Sequence, residues 1–424
     1  MNNIISKLFN LTKKLNQKEL SFQKIKNSTK ILKIFQSISS HNEWSEVRYV
    51  GGCVRKILNN ENYDDIDLAT NLDPQQIKEC LSANNIKFFE TGIKHGTITA
   101  TIEKQNFEIT SLRKDIATDG RHAEVLFTKD WNEDSSRRDF TINSIYADID
   151  GNIFDPNDGA NDLKNGIVRF IGNPEKRIKE DYLRILRYLR FFSTYSLKDH
   201  QPEIKKSIMQ NISGVVGLSK ERLLDEFKKI FKSGALFKLN KDHFSNDVIS
   251  LVFPQFINLN LLTKLDKNNQ KTLLVKSFDF LLAFLVIDET DNSDYFLYKF
   301  KTSNETKKKI NFLKKSFLES DEKNYFSKKN LEKIFYFNEK SDVLDLIDFE
   351  LFKSKKNKKK LIELKNYFIK TEKPVFPVKA KNIMEKFDLK EGRELGQKLK
   401  YLEDLWVNNS FNISDKEIEK TFQG

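Results

Sequence analysis

A chain of 424 residues, 38% hydrophobic and 32% charged, is too long for one compact core and has the balance of a soluble globular protein, so roughly two to four domains are expected. Its net charge of +12 is carried mostly by lysine and points to a polyanionic partner, nucleic acid or an acidic membrane, although the joint abundance of Lys, Asn, Ile and Phe also fits an AT-rich genome. Cys53 and Cys80 make no disulfide framework or structural zinc site. The N-terminus has no signal- or transit-peptide pattern, and no stretch approaches the ~18 apolar residues of a membrane span, so a cytoplasmic protein is expected.

In chain order, residues 22–42 predict a helix, with Ile25, Ile31, Ile34, Phe35 and Ile38 at helical spacing. VRYVGG predicts a short strand ending in a glycine turn, and DIDLAT a second strand with Ile66 and Leu68 facing away from the acids. Pro74 opens a helix over 74–84, and GTITATIE and NFEITSL predict a hairpin around 96–112. Residues 114–136, polar apart from Val125–Phe127, read as a long mobile loop, a kind of segment that often carries function. DFTINSIYADIDGNIFD gives a helix or strand and then a turn at Asp150-Gly151. Beyond about 174 the pattern is helical: EKRIKEDYLRILRYLRFFSTYS reads as one periodic helix and SKERLLDEFKKIFKS as another, capped by Ser219. The fold class is therefore α+β, a mixed head followed by a long all-helical part.

Asp65 and Asp67, two apart on a strand, share a face, and such a pair needs a cation between its carboxylates in a dry site. Mg²⁺ suits them, because it takes oxygen ligands and shares them with substrate phosphates. Gly51 and Gly52 let backbone approach a triphosphate, and Arg55 adds a donor fork. The combination suggests two-metal nucleotidyl transfer, yet the Asp-x-Asp pair alone is more often a solvated strand end. Glu108 on the predicted hairpin offers a third carboxylate. RRDFTINS brings Arg137, Arg138, Asp139 and Asn143, as a buried ion-pair network or as phosphate and ribose contacts. EDYLRILRYLRF puts Asp181, Arg184 and Arg187 on one helical stripe, as a surface salt-bridge row or as a reading surface.

The ordered set GG-x-VR, DIDLAT, HGT, FEIT, RRDFTINS, DP-x-x-G and ED-x-x-R-x-x-R, over about residues 46–235, resembles the class II tRNA nucleotidyltransferase (CCA-adding enzyme) and bacterial poly(A) polymerase family. TDGRHAEVLFTKDW and the tail stretch 382–406 are similar to its alphaproteobacterial branch, and about 240–370 carries no matching motif. The resemblance implies an N-terminal helical segment (1–45), a DNA polymerase beta-like head (46–172), a helical neck that recognises the base (173–240) and a helical body and tail that bind tRNA (241–424). It implies Asp65 and Asp67 as the metal-binding catalytic carboxylates, and Glu108 as an acidic, catalytic position on the adjacent strand. Gly51, Gly52 and Arg55 match the triphosphate loop, Arg137, Arg138, Asp139 and Asn143 the ribose and phosphate motif, and Asp181 and Arg184 the base-reading pair, with Arg187 in support. Three positions depart from the pattern: Lys56 stands where an acid is usual, Asp158 replaces a glycine of the DP-x-x-G turn, and Ala380 a glycine of the tail.

An Asp accepting from an amino group beside an Arg donating to a ring nitrogen suits cytosine and adenine alike; uracil and guanine reverse both polarities, at about 1–3 kcal/mol per unpaired group. The expected activity is addition of CCA to tRNA 3′ ends from CTP and ATP, by attack of the 3′-hydroxyl on the α-phosphate, with one Mg²⁺ activating the hydroxyl and another clamping the triphosphate. The expected partners are tRNA and these nucleotides, with no membrane and no protein partner. The alternatives are a poly(A) polymerase or a partial A- or CC-adding enzyme of the same family, the 114–136 segment weighing against the CC-adding case, and more remotely an inactive RNA-binding protein on the same fold. An attached phosphohydrolase domain has little support from the isolated His200 and His243. The run KSKKNKKK, six lysines in eight positions, is equally a solvated helix end and a phosphate contact.

Overall fold

The computed structural model describes Phe22, Ile25 and residues 27–63, 65–118, 123–354 and 357–423. The chain forms two compact units, one through Val252 and one from Phe253. In the first, helix α1 (Thr29–Ser39) buries Ile31, Ile34, Phe35 and Ile38, a 3-4 spacing that makes one apolar face. The helix expected over 22–42 is interrupted before Thr29, where Ser28 takes extended backbone, while Phe22 and Ile25 ahead of it are helical and in the core. Strand β1 (Val47–Val50) leads through Gly51 into α2 (Gly52–Leu58); β2 (Asp67–Thr70) is followed by α3 (Pro74–Ala83). Asp73 and Gln76 form a reciprocal capping box at the start of α3, worth about 1 kcal/mol.

Strands β3 (Lys87–Gly92), β4 (Thr97–Ile102) and β5 (Gln105–Ser111) complete one side of a seven-stranded sheet ordered β3-β4-β5-β2-β1-β8-β9, with β8 (Tyr146–Ala147) and β9 (Ile153–Phe154) on the other. Only β2 and β5 pair in parallel, and their register sets Asp67 opposite Glu108. The expected β4–β5 hairpin is present. The loop expected at 114–136 is not: β6 (Arg113–Thr118) pairs with β7 (Ala123–Phe127), and helix α4 (Trp131–Arg137) follows. Its polar composition hid the strands, since a two-stranded ribbon outside the main sheet has little core to face; Leu126 is 58% exposed. Residues 119–122 of that segment lie outside the described residues.

Helix α5 (Gly159–Asn165) begins at the DPNDG turn, where Asp155 accepts from the backbone N–H of Gly159 (2.9 Å) and Ala160 (2.7 Å). Asp158, the residue in place of a glycine, has φ of +56°, the left-handed region that glycine enters most easily. The single helix expected over 175–196 is two, α6 (Pro174–Glu180) and α7 (Arg184–Tyr195), broken at Asp181 with φ −155° and ψ 106°. Helix α8 (Pro202–Asn211) and α9 (Lys220–Lys232) follow, the latter capped by Ser219 as expected.

The second unit has helices and no strand among its described residues. Phe280 and Phe284 meet Phe349 and Phe352 edge-on in its core. On the helix Lys340–Lys353, Asp342, Asp345 and Asp348 follow one another at three-residue steps. They pair with Lys309 (2.6 Å to Asp342), Lys276 (2.8 Å to Asp345) and Lys365 (2.6 Å to Asp348). Of KSKKNKKK, Lys353 ends that helix, Lys358–Lys360 open the next, and 355–356 are outside the described residues. Among the described residues no helix is long and apolar enough to cross a membrane.

A Cβ on Gly159 would lie 2.0 Å from the carbonyl oxygen of Thr141, so the start of α5 can sit against residues 141–143 only without a side chain. Gly159→Ala is expected to destabilise the first unit by about 3 kcal/mol, the upper range for overpacking, read as a lower denaturant midpoint. An unchanged midpoint would show that the contact yields.

Candidate active site

Three carboxylates meet at the N-terminal ends of the parallel pair. Asp67 opens β2, Glu108 faces it on β5, and Asp65 lies just before the strand rather than on it, so simple strand alternation does not align the two aspartates. Asp67's pKa is raised by burial and by the charges of Glu108 and Asp65, with Arg138 and Arg55 opposing. This is an oxygen donor set with excess negative charge, which fits a hard divalent cation. Among the described residues no three His, Cys, Asp or Glu side chains group tightly enough to hold an ion by themselves. Beneath them, the buried Cys53 thiol lies 3.3 Å from the Val50 carbonyl and 3.7 Å from that of Asp67, and burial pushes its pKa up to about 11.

Gly51, at φ +67°, turns β1 into α2; a Cβ there would be 3.7 Å from the Asn143 carbonyl and 3.8 Å from Arg138 Nη1. Arg55, one turn into α2, is buried. It donates to Asn143 Oδ1 and lies over the rings of Phe191 (4.8 Å) and Tyr195 (5.0 Å), while its Nε has no hydrogen-bond partner. Asn143 Nδ2 in turn donates to Asp139 Oδ1 (2.9 Å), and Arg187 Nε donates to Asp139 Oδ2 (2.7 Å). A continuous relay, Arg55–Asn143–Asp139–Arg187, thus joins the glycine turn to α7. Burial would raise the Asp139 pKa, but Arg187 and the Asn143 hydrogen bond outweigh it and hold it at about 2.

Arg137 and Arg138 both bond Asp134, which also accepts from the Tyr146 hydroxyl (2.7 Å). Asp181 is not on one helical stripe with Arg184 and Arg187, because it occupies the break between α6 and α7. Its Oδ1 accepts from the Leu183 N–H (3.1 Å), a local bond that competes with helix, and its Oδ2 accepts from Arg222 of α9 (2.7 Å). Arg184, at the start of α7, donates to Glu180 and to the Arg177 carbonyl (2.9 Å). Sequence reading missed Asp134, Tyr146, Arg222 and the Phe191–Tyr195 platform. Only Asp134 had a local signal, three and four residues before the two arginines on a helix.

The model of the Poly A polymerase head domain matches residues 47–169. The chain is 36% identical over 397 residues to the human CCA tRNA nucleotidyltransferase 1, mitochondrial, covering 88% of this chain and 85% of that protein. It is 32% identical over 317 residues to the CCA-adding enzyme of Staphylococcus haemolyticus, covering 74% of each. In fold it is similar to the Bacillus stearothermophilus CCA-adding enzyme in complex with CTP, with TM-score 0.64 and 22% identity over 89% of this chain and 91% of that one. The Thermotoga maritima CCA-adding enzyme complexed with tRNA-CCA gives TM-score 0.62 and 17% identity over 95% and 97%.

The depressed pKa of Asp139 fixes a sign. Its charged form is favoured by folding, so its contribution is complete above the unfolded carboxylate pKa near 4 and is lost as pH falls through about 2. About 2 kcal/mol of stability should therefore disappear between pH 4 and 2 in the wild type. Denaturant midpoints across that range should fall less steeply for Asp139→Asn; parallel acid limbs would contradict the assignment.

Proposed function

The chain belongs to the family of CCA-adding tRNA nucleotidyltransferases, and on that premise we propose that it adds CCA to tRNA 3′ ends from CTP and ATP without a nucleic-acid template. The observation that carries the reading is the meeting of Asp67, Glu108 and Asp65 beside the Gly51 turn, joined by the Arg55–Asn143–Asp139–Arg187 relay to the helix that starts at Arg184. The tRNA 3′-hydroxyl gives up its proton to solvent as its oxygen forms a bond to the α-phosphorus, the bond from that phosphorus to the oxygen bridging to the β-phosphate breaks, and pyrophosphate leaves.

Asp65 and Asp67 would hold Mg²⁺, which when bound polarises the α-phosphate and acidifies the attacking hydroxyl. Glu108 adds negative charge across from Asp67 and so strengthens its hold on a cation. Gly51 and Gly52 keep side chains away from the triphosphate, and Arg55 and Arg138 supply donors to it. Arg137, Asp139 and Asn143 complete the ribose and phosphate contacts. Asp181 accepts from the base's amino group and Arg184 donates to its ring nitrogen, which admits cytosine and adenine. Both retain capacity for this: the Asp181 carboxylate has about four acceptor directions, Arg184 has five N–H groups, and their protein partners use only some. Arg187, bound to Asp139, positions rather than reads. The lysine-rich helical unit carries the tRNA, with steep salt dependence from counterion release. The reading extends to a cytoplasmic location, tested by cell fractionation.

The decisive assay is tRNA lacking its 3′ end, incubated with CTP and ATP separately and together. Addition should stop after three nucleotides; long adenosine tails on unrelated RNA would point instead to poly(A) polymerase activity. Asp67→Ala should abolish addition while tRNA affinity stays near wild type, and near-normal turnover would sink the metal assignment. Arg184→Ala should slow use of both CTP and ATP and lower discrimination against UTP by about tenfold or more, since one polar mismatch is relieved. Arg187→Ala should lower activity with base choice retained. Steady-state rates for four nucleotides on each variant separate these outcomes.

A further inference from the structure

We propose that Asp134 is a positioning residue for nucleotide binding, one that fixes the Arg138 guanidinium, and Arg137 beside it, in the orientation the triphosphate needs. The inference rests on the function proposed above. Asp134 is 1% exposed and one helical turn before both arginines. Its Oδ1 accepts from Arg137 Nε (2.8 Å) and from the backbone N–H of Arg113 (3.2 Å). Its Oδ2 accepts from Arg138 Nη2 (3.0 Å), Arg138 Nε (3.2 Å) and the Tyr146 hydroxyl (2.7 Å). These donors fill the roughly four lone-pair directions of a carboxylate, so nothing remains for a ligand and any effect on substrate must pass through the arginines.

The consequence lies in what Asp134 leaves free. Nε and Nη2 of Arg138 are committed to it, and Nε also reaches the Tyr146 oxygen (3.0 Å). Nη1 is turned toward Gly51, where a Cβ would lie 3.8 Å away, and the same guanidinium acts on the charge of Asp67. A long side chain on four rotatable bonds is thereby ordered before the nucleotide arrives, which lowers the entropy lost on binding. The Arg137 and Arg138 charges in turn overcome the effect of burial and hold the Asp134 carboxyl well below the usual carboxylate range. The Arg113 N–H at the start of β6 ties the β6–β7 ribbon to the same carboxylate.

Asp134→Asn keeps the shape but removes the charge and turns an N–H₂ toward donors. In the full-length protein it should raise KM for CTP and ATP about tenfold or more while kcat and tRNA affinity change by less than about threefold. If Asp134 acts through Arg138, the same substitution made in an Arg138→Ala background should add less than about twofold to KM, because the two residues form one unit. Additive KM effects, or loss confined to kcat and stability with KM unchanged, would overturn the proposal. Should Asp134→Asn not fold, Tyr146→Phe removes a donor to Asp134 and an acceptor from Arg138, and should raise KM in the same direction; an unchanged KM there counts against it equally. Equilibrium binding of CTP without tRNA separates this from the functional reading: a wild type that binds CTP but extends no tRNA sinks that reading, while the change in CTP affinity in the variants still decides the role of Asp134.

Discussion

A buried carboxylate and a buried amide, Asp139 and Asn143, hold the site together. Each is at most 8% exposed, and each has its polar atoms committed to a different segment of the chain: Arg55 after the glycine turn on one side, Arg187 on α7 on the other. A buried group left without its partner costs about 1–3 kcal/mol, and more when charged, so losing any member of the relay weakens the junction. It thereby fixes the distance between the carboxylates on the sheet and the start of α7. Phe191 strengthens the same junction from the apolar side, since Arg55, Arg187 and Arg190 all lie within 6 Å of its ring.

The site sets opposite charges against each other at close quarters. Asp65, Asp67 and Glu108 crowd together where the two central strands β2 and β5 begin to pair, and Arg55 and Arg138 stand near enough to moderate them without forming direct pairs with Asp67 among the described residues. The arginines are instead tied from behind, Arg138 by Asp134 and Arg55 by Asn143. Holding the cations from behind in this way prevents the carboxylates from being neutralised by internal ion pairs.

What the sequence made legible was local. The strand at 47–50, the hairpin at 97–111, the helix start at Pro74 and the Ser219 cap each follow from neighbouring residues, and each has the expected form. The β6–β7 ribbon did not show, because Lys114, Asp115 and Glu124 interrupt any apolar alternation. The break at Asp181 was masked by the leucines and isoleucines around it, which keep helical spacing straight through the interruption; the hydrogen bond from Leu183 decides against that periodicity. Arg222 lies 41 residues from Asp181, and no single-chain pattern announces such a pair. In the candidate site, residue types and order pointed to the chemistry, while the parallel register that brings Glu108 to Asp67 emerged only from the fold.

The two cysteines lie in the first unit, one beneath the carboxylate edge and the other on α3, and both are buried at 4% exposure or less. Cys53 is held as a neutral thiol by its surroundings, so an alkylating reagent meets almost no thiolate while the head is closed. Reaction at that sulfur must wait for the sheet and α2 to separate. The modification rate of Cys53 in the native protein therefore clocks the spontaneous separation of α2 from the sheet.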